Sequence, residues 1–105
     1  MQIQVNTDKN IEGREEIVAQ VEATVASSLG RFSKRITRVE IHLSDENGDK
    51  NGQTDKRCMM EARLEGRQPT AVTCEAATIA QAVAGAADKM KHCLTSTVER
   101  LEAHR

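Results

Sequence analysis

The side chains able to do chemistry are few and scattered. The candidate metal ligands or nucleophiles are Cys58, Cys74 and Cys93 with His42, His92 and His104. No CxxC or HxxxH pair joins them, and such pairs carry the zinc signal. No nucleophile stands beside a base in a catalytic spacing, and no pair of carboxylates is set at one. There is no Walker loop, glycine-rich dinucleotide loop or zincin helix. The residues therefore predict no enzyme, no cofactor and no metal. Three widely spaced cysteines also argue against a disulfide framework and for a reducing, cytoplasmic setting. Cys58 and Cys74 fall at inward strand positions, where a free cysteine is a small core residue.

What remains is charge. The chain has 105 residues, 30% of them charged, and a net charge of −1. No global basic field advertises a nucleic acid, so any such site must be a local patch. Two windows contain no acidic residue. Residues 23–39 hold Arg31, Lys34, Arg35 and Arg38; residues 89–98 hold Lys89, Lys91 and His92. On a helical wheel Lys89, His92, Ser96 and Arg100 share one outward face, opposite Met90 and Leu101. Small residues are expected outward as well: Gly85, Ser96 and Ala103 near these cations, and Ala23, Ser27 and Gly30 near the first window. Such a surface could lie against a phosphate backbone, each contact adding salt-dependent affinity without sequence preference. By charge alone the plainer reading is a solvated helix face, with arginines capping carbonyls at a helix end. With no Trp, no Tyr and one Phe, the chain lacks the rings of a base-stacking platform.

The elements that must position these groups are legible from periodicity. Residues 36–43 alternate Val39, Ile41 and Leu43 with Arg38, Glu40 and His42. Residues 57–64 alternate Cys58, Met60, Ala62 and Leu64 with Arg57, Met59, Glu61 and Arg63. Each is a strand with one buried and one wet face. On the wet face, His42 is expected in cross-strand polar pairing, and Met59 as a single exposed apolar group. Residues 45–55, with two Asn-Gly pairs and nothing apolar, form a loop outside the core. Residues 1–6 read as a short strand. Residues 14–32 read as an amphipathic helix through Ile17, Val21, Val25, Leu29 and Phe32, with Glu15 and Glu16 in its first turn and Gly30 loosening its end. A turn at 66–69 leads to a fourth strand at 70–76. A second helix follows at 78–103, with Thr78 as N-cap and Ile79, Val83, Ala86, Met90, Leu94 and Leu101 on its stripe.

The order is β-α-β-β-β-α in one domain, 1–105. The first two strands lie parallel through the intervening helix. An α+β two-layer sandwich follows, with both helices on one face of a four-stranded mixed sheet.

These residues resemble a known family. MQIQVN at the start, FSKRITRVEIHLSDENG in the middle and AVAGAADKMK on the last helix are similar to the ribosome hibernation-promoting factor / ribosome-associated inhibitor family, also called sigma-factor modulation or ribosomal subunit interface proteins. The resemblance covers nearly the whole chain and corresponds to the family's short form. It implies a fold similar to the double-stranded-RNA-binding domain. It implies binding to the small ribosomal subunit and its rRNA, in the channel of mRNA and tRNA, and inhibition of translation by occupancy in stress or stationary phase. The family's basic positions transfer to Arg31, Lys34, Arg35, Arg38, Lys89, Lys91, His92 and Arg100. The pattern departs after His92, where no cation follows until Arg100. Neither DNA nor a membrane is an expected partner, and a monomer is expected off the ribosome. The alternative is a divergent relative serving as a protein-interaction module, through its exposed sheet edges.

Overall fold

The computed structural model of the protein describes residues 1–9, 11–46 and 55–103. Strand β1 (Gln2–Thr7) is followed by helix α1 (Arg14–Leu29) and a 3-10 turn (Gly30–Phe32). Then come β2 (Ile36–Asp45), β3 (Lys56–Leu64), β4 (Thr70–Ala76) and helix α2 (Ile79–Ala103). The sheet order is β1-β2-β3-β4, with β1 parallel to β2 and the other two pairs antiparallel.

Register explains why alternation in sequence becomes a floor in space. Val5, Ile41, Met60 and Val72 form one inward row across all four strands; Thr7, Leu43, Cys58 and Cys74 form the next. Val39, Ile41, Cys58 and Met60 are fully buried there. Helix α2 roofs β3 and β4, and α1 packs against α2 and β1. Val21, Val25 and Leu29 come down from α1; Val83, Met90 and Leu94 come down from α2. Phe32, the lone aromatic, closes the core below α1 at 2% exposure. Ile36 breaks the alternation yet is buried, because the register shifts between Ile36 and Arg38 and turns it inward.

Several expectations are corrected. The first helix is α-helical only to Leu29; residues 30–32 tighten into a 3-10 turn, a common way for a helix to end. Gly85 does not face solvent. A Cβ built there would run into the Cys74 sulfur, so the missing side chain lets α2 approach β4. Met59 is half-buried on the open sheet face, between His42 and Thr73 in the register. Asp45 and Asp55 are not loop residues outside the core. They are 8% and 4% exposed, and Lys56 Nζ sits 3.2 Å from Asp45 Oδ2 and 3.1 Å from Asp55 Oδ2. A lysine set between two buried carboxylates supplies the pairing that such burial requires. The stretch 47–54 of the expected loop lies outside the described residues, as does His104. Thr78 caps α2 as expected, its hydroxyl accepting from the Gln81 amide at 3.1 Å.

Candidate nucleic-acid interface

Strand direction decides which charged side chains become neighbours. The 3-10 turn and its exit into β2, the β3–β4 turn and the C-terminus of α2 all lie at one end of the sheet. The backbone ties them together. The Glu65 amide donates to the Arg35 carbonyl at 2.8 Å, and Arg35 Nη2 reaches Glu102 at 3.3 Å. The β1–α1 connection and the facing ends of β2, β3 and β4 lie at the other end; the Asp45 amide donates to Asp8 Oδ2 at 3.1 Å there.

This topology sorts the charge. Among the described residues, the first end carries Arg31, Lys34, Arg35, Arg38, Arg63, Arg67 and Arg100 against Glu65, Glu99 and Glu102. The second carries Asp8, Glu12, Glu15, Glu16, Asp45, Glu46, Asp55 and Glu75 against Lys9, Arg14, Lys56 and Arg57. Seven cations meet three carboxylates at one end, or five with Glu40 and Glu61 two residues further along the sheet, and four meet eight at the other. A net charge of −1 thus conceals a strong polarity along the strands.

The eight sequence-predicted residues divide accordingly. Arg31, Lys34, Arg35 and Arg100 gather at the basic end, all exposed. The Arg31 guanidinium lies over the Phe32 ring, 4.8 Å from its centroid, which holds a long side chain on a buried base. Arg38 is at the same end but on the open sheet face, where Glu40 and Gln4 engage it. Lys89, Lys91 and His92 lie midway along α2; Lys89 and His92 share an exposed helix face, as expected, while Lys91 does not. Lys89 Nζ donates to the Thr73 carbonyl of edge strand β4 at 2.7 Å. Lys91 is two residues on, about 200° around the helix, and exposed. His92 Nδ1 lies 2.9 Å from the Asp88 carbonyl oxygen and 3.7 Å from its carboxylate.

Arg63 and Arg67 were missed in the sequence. Each is flanked by a glutamate two residues away, so no acid-free window marks them. Only the β2–β3 pairing, Ile36 opposite Leu64, brings the residues after Leu64 beside those before Ile36. The open sheet face is a mixed surface by contrast. Arg38 stands opposite Arg63 and Glu40 opposite Glu61, so its rows alternate in sign. Its carboxylates would repel a phosphate chain laid across it.

Among the described residues no group of three His, Cys, Asp or Glu converges on a metal position, and no helix is long and apolar enough to cross a membrane. Burial pushes the Cys58 thiol up to about 12, with Cys74 opposite adding to the shift. Such a thiol is a core group, with little thiolate available for attack.

Comparison with curated protein sequences yields no match. Solved structures do match. The N-terminal domain of Protein Y from Thermus thermophilus is 21% identical, over 92% of this chain and 99% of that one, with a TM-score of 0.73. A ribosomal subunit interface protein from Coxiella burnetii is 16% identical, over 94% and 99%, with a TM-score of 0.68. At these identities the likeness is one of fold. Family membership comes from the sequence itself, because a family model matches residues 3–102 and so takes in nearly every residue of the sheet and both helices. The chain belongs to the sigma 54 modulation protein / S30EA ribosomal protein family.

Proposed function

We propose that the protein is a non-enzymatic, cytoplasmic factor that binds the small ribosomal subunit and idles it by occupancy. It enters basic end first, and its cations neutralise rRNA phosphates near the channel of mRNA and tRNA. Arg31, Lys34, Arg35 and Arg100 lead the contact. Arg38, Lys89, Lys91 and His92 take secondary positions along the flanks. The observation that carries this reading is the segregation of charge to one end of the sheet. Family membership supports it, as do the ribosomal names borne by the family and by one solved relative. Off the ribosome the chain is a monomer. With one buried Phe and no other aromatic ring, it reads the shape and phosphates of folded RNA, not unstacked bases.

Co-sedimentation with small subunits tests the proposal. About four phosphate contacts give a log–log salt slope near −3, or about a 60-fold loss of affinity between about 50 and 200 mM salt. Arg31→Glu with Lys89→Glu should weaken binding further at both salts. Unchanged binding in that double variant removes both residues from the interface.

A second reading, a protein-interaction module without RNA binding, is favoured by one observation. Arg35, Arg38 and Lys89 already hold protein partners. A stable dimer in light scattering that covers the basic end would select it.

A further inference from the structure

The β3–β4 turn is shaped by Gly66. Its φ of +76° and the Arg67 amide donating to the Leu64 carbonyl at 3.0 Å match a turn with glycine at its third position. The turn holds Arg67 at its exit, facing the last turns of α2. There Arg67, Gln68 and Thr70 on one wall, with Thr97 and Arg100 on the other, line an open cleft of about 440 Å³.

The chemistry of this cleft is one-sided. Among the described residues neither Arg67 nor Arg100 makes an ion pair, and no carboxylate lines the walls. Of the neighbouring acids, Glu65 lines the adjoining cleft with Lys34 and Arg35, and Glu99 lines a shallow cleft on the other flank of Arg100, with Ser96 and Ala103; neither lines this one. The Thr97 hydroxyl is already donated to the Cys93 carbonyl at 3.0 Å. That leaves the Thr70 hydroxyl and the Gln68 amide as neutral donors beside two guanidinium forks. Two guanidinium groups from separate elements, lining one cleft with neutral donors, suit a tetrahedral oxyanion. No aromatic ring lines the cleft, so a base gains nothing by entering it.

We propose that this cleft is a phosphate seat, in which Arg67 and Arg100 grip one phosphodiester group of a folded RNA. The proposal rests on the ribosome-binding reading above and deepens it, adding Arg67 and giving Arg100 a partner. Its position fits a backbone that continues past Lys34 and Arg35, because Leu64 lines both clefts.

The test has two arms on the full chain. In the first, arginine Nε–Hε resonances are followed by NMR during titration with inorganic phosphate. Saturable shifts at Arg67 and Arg100, absent at Arg57 and abolished by Arg67→Gln, are expected; no shift at either overturns the site. In the second arm, small-subunit affinity is measured for Arg67→Gln, Arg100→Gln and the acidic-end control Arg57→Gln. The first two should each weaken binding about three- to tenfold and reduce the salt slope by about 1. The control should do neither. Phosphate shifts with unchanged subunit affinity would assign the cleft to a free phosphate compound and overturn the phosphodiester assignment. If the wild-type chain ignores small subunits at every salt, the ribosome reading fails. An RNA hairpin titrated in place of phosphate then decides the cleft alone: shifts at both arginines retain it, and none overturns it.

Discussion

Lys56 and Cys58 stand two residues apart at the head of β3, and both keep their protons longer when folded. For Lys56 the hydrogen bond to Asp55 raises the pKa above 10.5, with Asp45 adding to it against the desolvation of its setting. For Cys58 the cause is burial. In both, the folded pKa exceeds the unfolded one, so the unfolded chain releases protons first as pH rises. The stabilisation is complete below the unfolded values and is lost upward through the folded ones. Urea unfolding should therefore weaken between about pH 9 and 12, with Cys58 alone contributing about 1.4 kcal/mol per pH unit. Cys58→Ala should flatten that slope, and a wild-type profile level across this range would contradict the assignment. Alternation in sequence placed Cys58 inward correctly. It gave no sign that Asp45 and Asp55 are buried, because they bracket a wholly polar run. Their burial depends on Asp45 and Lys56 facing each other across the hairpin. Gly85 was misplaced for a related reason: a helical wheel knows angle but not the neighbour at that angle. Overpacking against Cys74 outweighs the gain in helix propensity, so Gly85→Ala should lose about 1 kcal/mol in urea unfolding. Adding Cys74→Ala should recover it; equal losses in the single and double variants would deny the contact.

The elements were the most legible part of the chain, since each carries one strong period. The two long strands alternate with few exceptions, and both helices have stripes aimed at a single floor. What periodicity could not show is where a period is broken by geometry. The register shift after Ile36 keeps an apparently misplaced residue in the core. The end of α1 at Leu29 is set by the tighter turn that tucks in Phe32. The β3–β4 turn is a similar case, because its shape depends on one left-handed residue. Nothing lies within 4 Å of a Cβ at Gly66, so the penalty there is conformational only. Gly66→Ala should cost about 1–2 kcal/mol in unfolding free energy and Gly66→Asn less, since Asn tolerates that conformation. An alanine variant as stable as wild type would show that the turn reaches its shape another way.

At the scale of the whole molecule, composition concealed the feature of most consequence. Charge counted along the chain found four of the seven cations of the basic end, in the window of Arg31, Lys34, Arg35 and Arg38, and the helical wheel added Arg100. It missed Arg63 and Arg67, which a hairpin returns to the same place. It also grouped Lys91 with Lys89 and His92 by proximity in sequence, whereas Lys91 lies about 200° around the helix from Lys89, and Lys89 and His92, on one face, hold separate partners. A polar molecule of this kind is oriented before it touches an RNA surface. In the proposed binding to the small subunit, repulsion of the acidic end would specify which end goes in as firmly as attraction of the other. The measurement that bears most directly on this is site-specific photocrosslinking to small subunits, with the probe placed at residue 34 or at residue 9. The account predicts rRNA crosslinks from residue 34 and none above background from residue 9. Equal labelling from both, or labelling from residue 9 alone, would contradict it.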